Sequence, residues 1–321
     1  MKRNFMVGVM ILSIFILGSC TNHQKKLHIQ KVGMLVDGMV SDNPWNEQGF
    51  QGLLAIGEEF DVGVYYRENI QTKEDVVEAV SKFAKDGVNL IFGHSNIYGK
   101  FFSEIAKDYP HVHFVYFNGG YFAENLSSLN LNSQAMGFFT GMVASEMTQT
   151  NQVGIIAAYE WQPEIEGFFE GVRYQKDDTK VQIDFLNEWN DERNIEQIYK
   201  KMREKNVDIF YPAGESFSAE LVEIIENEQQ DHIHTVGYLT DHFDEDDSIL
   251  MTMVQHIDKL YIYAAEQFNT ESLEGGITSF GFQDDIVTLG EFSPKVPKTL
   301  QLKIGRQVEK FIETNLLPHQ Q

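Results

Sequence analysis

The chain reads as an α/β protein of two doubly wound parallel-sheet lobes joined by a three-strand hinge, and three observations lead there. Short apolar segments alternate with longer amphipathic ones from residue 31 onward, the pattern of βαβ units and parallel sheets. The alternation runs through two similar halves, with a polar break near Thr150, Asn151 and Gln152. Beyond residue 250 the chain offers further strand and helix segments too few for a third lobe, which suit late returns between the first two.

In order, strands are expected at residues 31–36, 62–66, 90–93 and 113–117, separated by helices at 46–59, 73–85 and 99–108. A helix at 134–148 closes this first half, and the polar break is expected to cross to the second. There the strands are 153–158, 181–186, 207–211 and 235–239, with helices at 163–174, 191–205 and 217–228. Last come a strand at 250–254, a helix at 258–268, a Gly275-Gly276 turn, a strand at 278–282 and a helix at 297–314. The expected lobes are 31–149 plus about 254–273, and 150–253 plus about 274–321.

The first residues carry Lys2 and Arg3 ahead of an apolar run ending at Gly18, the charged and hydrophobic regions of a secretory signal, too short to span a membrane comfortably. The run stops at Leu17-Gly18-Ser19-Cys20, which resembles the lipobox at which bacterial lipoprotein precursors are cut and lipidated. Residues 1–20 are thus expected to be a signal ending at a lipidated Cys20, and 21–30 a polar tether. Cys20 is the only cysteine, so no disulfide forms within the chain and the exported part must be stable through its core. The roughly 300 residues that remain allow two ordinary domains to bury most of their apolar surface.

A net charge of -23, from 25 basic and 48 acidic residues, repels phosphate backbones and anionic headgroups. Direct nucleic-acid binding is therefore not expected, and export would separate the protein from the chromosome by a membrane. His111 with His113, and His232 with His234, have strand spacing but no third ligand spaced with either pair, so they read as surface histidines. Gly214-Glu215-Ser216-Phe217-Ser218 matches a nucleophile elbow only in its first half, because Ser218 stands where a closing glycine is needed. No phosphate loop or paired-carboxylate pattern stands out, and neither an enzyme nor a cofactor is expected.

Val32-Gly33-Met34-Leu35-Val36-Asp37-Gly38 followed by Ser41-Asp42-Asn43-Pro44-Trp45-Asn46-Glu47-Gln48-Gly49-Phe50 resembles the opening motif of the basic membrane protein family, which includes PnrA-like purine-nucleoside lipoproteins. The resemblance continues in order through Met136-Gly137-Phe138-Phe139-Thr140-Gly141, Gly167-Phe168-Phe169-Glu170-Gly171 and Val207-Asp208-Ile209-Phe210-Tyr211-Pro212-Ala213-Gly214. Asn151-Gln152-Val153-Gly154 and Trp161-Gln162-Pro163-Glu164 are most similar to its Med subgroup, positive regulators of competence in bacilli.

This resemblance implies a type I periplasmic-binding-protein fold with a ligand cleft between the lobes, an anchor in the membrane, and either an ABC importer or a membrane signalling partner. It implies that Asp42 and Asn46 are the polar pair that holds the ligand, with Trp45 where the family usually has phenylalanine. A flat base gains from stacking on such rings, and fixed polar groups orient it. From the second lobe, Phe217 or Tyr211 is the candidate stacker and Asp241 the candidate polar contact.

The resemblance points to a purine nucleoside or a related molecule as the ligand, and two departures bear on it. Leu239 replaces a family aspartate, and Gln255 stands where the family commonly has lysine, so a pocket is implied but a nucleoside in it is not: any nucleoside is expected to bind more weakly than in PnrA-like relatives, or the preferred ligand to be less polar. Asp42 or Asn43 also suits a cap on the following helix with Trp45 as its staple, a role that can coexist with ligand contact. Trp161 either wedges against the crossing or lines the cleft, and His94-Ser95-Asn96 forms either a polar turn or part of the cleft wall. Two functions compete: a receptor that captures a small molecule, and a regulatory lipoprotein acting indirectly on competence gene expression, its cleft vestigial or retuned.

Overall fold

The computed structural model describes residues 28–42, 44–189, 194–214, 216–228, 230–237 and 248–321, apart from the side chains of Asp42 and Ser216. Cys20, the tether up to residue 27, Leu239 and Asp241 lie outside the described residues.

The first lobe is built on β1 (Lys31–Leu35), β2 (Gly63–Arg67), β3 (Leu90–Gly93), β4 (His113–Phe117), β5 (Leu126–Leu131) and β11 (Gly276–Phe280). They form one parallel sheet in the order β11-β5-β4-β3-β1-β2. Helices α1 (Pro44–Phe60) and α8 (Ile257–Asn269) cover one face, where Leu53, Ile56, Leu260 and Tyr261 are buried with Met34 and Phe92. Helices α2 (Lys73–Lys85) and α3 (Tyr98–Ile105) cover the other through Val80, Phe83 and Phe102. Thr72 and Asp75 start α2 as a capping box, each side chain accepting the other's backbone N–H.

The second lobe has β6 (Gln152–Ala157), β7 (Lys180–Phe185), β8 (Ile209–Ala213) and β9 (His234–Thr235), parallel in the order β7-β6-β8-β9. Helices α6 (Ile195–Arg203) and α7 (Ser216–Glu228) pack on one face, and α4 (Gln134–Met147), α5 (Pro163–Gln175) and α9 (Lys298–Thr314) on the other. An antiparallel pair, β10 (Met251–Gln255) with β12 (Val287–Phe292), adds Met253 and Val287 to this second core.

The lobe boundaries differ from those expected. Helix α4 belongs to the second lobe, buried around most of its circumference because it lies between the sheet, α5 and α9. Its approach to α5 is backbone on backbone: a Cβ at Gly167 would stand 1.9 Å from the Gln134 carbonyl oxygen, and one at Gly137 2.0 Å from that of Glu164. Strand β11, in turn, completes the first sheet by pairing with β5. The chain therefore crosses between lobes near residues 132–133, 255–256 and 281, where Leu131, Ile257 and Phe280 pack in the first core while Ala135, Met253 and Phe282 pack in the second. Asn132 N–H donates to Phe280 O at 2.7 Å, tying two crossings together. The polar break at Thr150, Asn151 and Gln152 is a turn inside the second lobe, with Asn151 at φ 57° and Asp208 accepting from Gln149 and Thr150 N–H.

Candidate ligand-binding cleft

A cleft of about 240 Å3 opens between the lobes, and its walls come from strand C-terminal ends and helix starts. Asp37 follows β1, His94, Ser95 and Asn96 follow β3, and Asn118 follows β4. Across from them Trp161, Gln162 and Glu164 follow β6, Trp189 follows β7 and Gln255 ends β10. Parallel sheets whose strand order reverses leave such a crevice: successive helices leave for opposite faces, here between β1 and β3 and between β6 and β8. All three tryptophans of the chain, Trp45, Trp161 and Trp189, line this one cleft.

On the first lobe Trp45 sits in the opening turn of α1 and stacks on the His94 ring, with centroids 4.6 Å apart and planes at 19°. Phe117 meets Trp45 edge-on at 5.8 Å. The indole N–H donates to His94 O at 3.2 Å, and His94 Nε2 lies 2.7 Å from Trp45 O. A carbonyl only accepts, so Nε2 carries the imidazole proton, and Nδ1 accepts from the Tyr261 hydroxyl at 2.9 Å. Burial lowers the His94 pKa to about 4, outweighing the bond to Trp45, so the ring is neutral at pH 7. Asn46 is buried at the cleft wall and donates to Met39 O at 3.0 Å. Asn118 accepts from Leu131 N–H at 2.9 Å, and Asn130 accepts from Gly119 N–H at 3.1 Å, which fixes the loop beside Phe117.

On the second lobe the first turn of α5 presents Glu164, which accepts from Ser133 Oγ at 2.6 Å and from Gln162 Nε2 at 2.7 Å. Burial raises the Glu164 pKa against the pull of those donors. Ser133 lies on a crossing, so this bond joins the hinge to the cleft wall. Trp161 is 57% exposed and stacks on Tyr159 at 5.5 Å, while Trp189 meets both rings edge-on.

The structure brings Trp45 and Asn46 together at the cleft. Asp42 ends a short 3-10 turn just before α1, its side chain outside the described residues, as is Asp241. Phe217 is fully buried on the α6–α7 face, so close under Gly214 that a Cβ there would meet its ring at 2.2 Å. Tyr211 is buried against Phe168 at 5.1 Å. Neither ring lines the cleft, and among the described residues the second-lobe aromatics that do are Trp161 and Trp189. His94, Ser95 and Asn96 line it as well, as one of the two readings of that segment had it.

Two of the histidines taken for surface groups are buried, His113 and His234. His113 Nε2 is 2.7 Å from Ser127 Oγ, but the serine proton goes to Glu274 O at 2.9 Å, so the histidine donates and the hydroxyl is not activated for attack. Burial lowers the His113 pKa to about 4. Among the described residues no helix is long and apolar enough to cross a membrane.

Two wound sheets, three crossings and a cleft at the strand ends make up the type I periplasmic-binding-protein fold. The chain belongs to the family described as ABC transporter substrate-binding protein PnrA-like, whose model matches residues 29–321. It is 38% identical over 312 residues to the transcriptional activator protein med of Bacillus subtilis, covering 97% of this chain and 98% of that one. A purine-binding protein of Brucella abortus is 26% identical over 212 residues, 64% of this chain and 59% of its own. Among solved structures, one described as a transcriptional activator of the comK gene from Bacillus halodurans superposes with a TM-score of 0.83 at 37% identity, covering 90% of this chain and all of that one. An ABC transporter solute-binding protein from Aeropyrum pernix shares the fold, at a TM-score of 0.73 and 16% identity over 89% of this chain and 91% of its own.

Proposed function

We propose that this chain is a receptor on the extracytoplasmic face of the cell membrane, anchored through a lipidated Cys20, that captures a small planar ligand of nucleoside type between its lobes. The observation that carries the reading is the convergence of Trp45, Trp161 and Trp189 on one cleft. Rings on opposite walls suit a flat base between them, and the carboxyls of Asp37 and Glu164 with the amides of Asn46 and Gln255 suit its polar edge and a sugar. Asp42 and Asp241 are retained as further ligand contacts. The purine-binding relative supports the ligand class. The partner is an ABC importer or a membrane signalling protein, with no direct contact to nucleic acid. To test this, the purified chain is denatured and any released small molecule identified by mass spectrometry, with calorimetry against a nucleoside panel alongside. A nucleoside released or bound supports the reading; no released molecule and no heat with any nucleoside sinks it.

The two relatives near 38% identity, both described as transcriptional activators, favour a second reading in which the protein is a Med-type positive regulator of competence genes that acts indirectly. In that case deletion lowers competence gene expression. Restoration by a cleft variant such as Trp161→Ala would mean the effect does not pass through a ligand, and failure to restore would join the two readings.

A further inference from the structure

Trp45 is held from below by a column of rings. His94 lies under one indole face, Tyr261 is 5.7 Å further in and stacks on Phe92 at 4.2 Å, and Phe117 flanks the column. Helix α1 can lie on this column because Gly49 and Gly52 face it: a Cβ at Gly49 would stand 2.4 Å from the His94 ring, and one at Gly52 2.8 Å from that of Tyr261. His94 grips Trp45 at two points. Its carbonyl takes the indole N–H, and its ring N–H holds the Trp45 carbonyl. The Trp45 carbonyl, which only accepts, selects the Nε2–H tautomer of this second grip, and the Tyr261 hydroxyl, 2.9 Å from the remaining ring nitrogen, supports it as donor. With one face on His94, an edge on Phe117 and its only N–H occupied, the indole can offer the cleft little but its other face.

We propose that His94 is the positioning residue of the ligand platform, and Tyr261 the group that supports its Nε2–H tautomer. Together they lock the plane of Trp45 so that the cleft presents a bare aromatic face, which selects a ligand there by flatness rather than by a hydrogen bond to the indole. This rests on the reading of the cleft as a binding site, deepens it, and is tested in two arms.

The first arm uses no ligand. In the full chain carrying Trp161→Phe and Trp189→Phe, Trp45 is the sole tryptophan, and His94→Gln is added to it. An indole free to leave its rotamer is reached from both faces, so acrylamide quenching of its emission is expected to rise about twofold. Histidine nitrogen shifts of the native chain are expected to show protonated Nε2 at His94, and Tyr261→Phe to shift that tautomer balance. In the second arm, the native chain, His94→Gln and Tyr261→Phe are titrated with adenosine and inosine well below their melting temperatures. His94→Gln is expected to weaken binding about tenfold and Tyr261→Phe by less.

Unchanged quenching overturns the proposal whether or not a nucleoside binds, and so does unchanged affinity in both variants. A native chain that binds neither nucleoside sinks the nucleoside reading alone, since the first arm still decides the positioning role. If His94→Gln does not fold, Tyr261→Phe, which keeps every ring and removes one hydroxyl, takes its place in both arms with the same direction of change.

Discussion

Replacing Trp161 by alanine separates ligand capture from stability more cleanly than any other change at the cleft. The side chain is 57% exposed, and among the described residues its ring neighbours are Tyr159 and Trp189. An aromatic side chain can bury up to about 250 Å2, so roughly 140 Å2 of this one is uncovered. A base lying on one face would cover about half of that, roughly 70 Å2, worth about 2 kcal/mol at 25 cal/mol per Å2. Stacking geometry adds on the order of 0.5–1.5 kcal/mol. Trp161→Ala should therefore weaken nucleoside binding roughly 60-fold to 300-fold. The folded state loses two half-exposed ring contacts, about 1–3 kcal/mol in all, a fall of several degrees in a chain of this size. Calorimetric titration with whichever nucleoside binds the native chain, beside scanning calorimetry of both proteins, measures the two quantities. Binding unchanged within about twofold would show that the second-lobe aromatic patch does not cover the ligand and would refute the reasoning.

Four further outcomes are expected. Gly167→Ala should destabilise by about 3 kcal/mol or more, because its methyl meets the Gln134 carbonyl at 1.9 Å and whole helices must part, whereas Gly305→Ala, with nothing within 4 Å, should stabilise by about 0.5–1 kcal/mol; urea melts decide. His94 and His113 have folded pKa values near 4 against 6.5 unfolded, so their contribution is complete above pH 6.5 and is lost as the pH falls toward 4, by up to about 3 kcal/mol each. Glu164 acts oppositely: its raised pKa favours the fold at low pH and the benefit is lost as the pH rises above 4.5, so His113→Phe should reduce the acid-side loss and Glu164→Gln the alkaline-side loss in melts across pH. Cys20→Ser should abolish labelling by a radioactive fatty acid, and undiminished label would end the lipoprotein reading. The purified chain should not retard a promoter fragment at physiological salt, since a net charge of -23 offers no counterion release, and tight salt-sensitive retardation would contradict this.

Much of the fold was legible because parallel strands buried on both faces and amphipathic helices leave strong patterns, as at residues 90–93, 113–117 and 73–85. Strand β5 was not, because its Leu-Ser-Ser-Leu-Asn-Leu lacks a run of apolar residues. Ser127 and Ser128 are buried there with their hydroxyls satisfied by the Glu274 carbonyl, a partner from far along the chain, and by the Gly119 carbonyl of the preceding loop. Strand β12 escaped for a like reason: Gly290 lies over Thr252, an approach that only the β10 partner demands.

By itself the sequence determined the α/β class, the two halves, the family and the place of Trp45 and Asn46, since each is written in local periodicity or in an ordered run of motifs. Only the tertiary structure decided that α4 packs in the second lobe, that β11 finishes the first sheet, and that Trp161 and Trp189 reach the cleft while Phe217 is core. The reason is physical. Periodicity reports that a side chain is apolar and which face of its own element it shares, but whether that face meets a core or a cleft depends on elements that arrive from far along the chain.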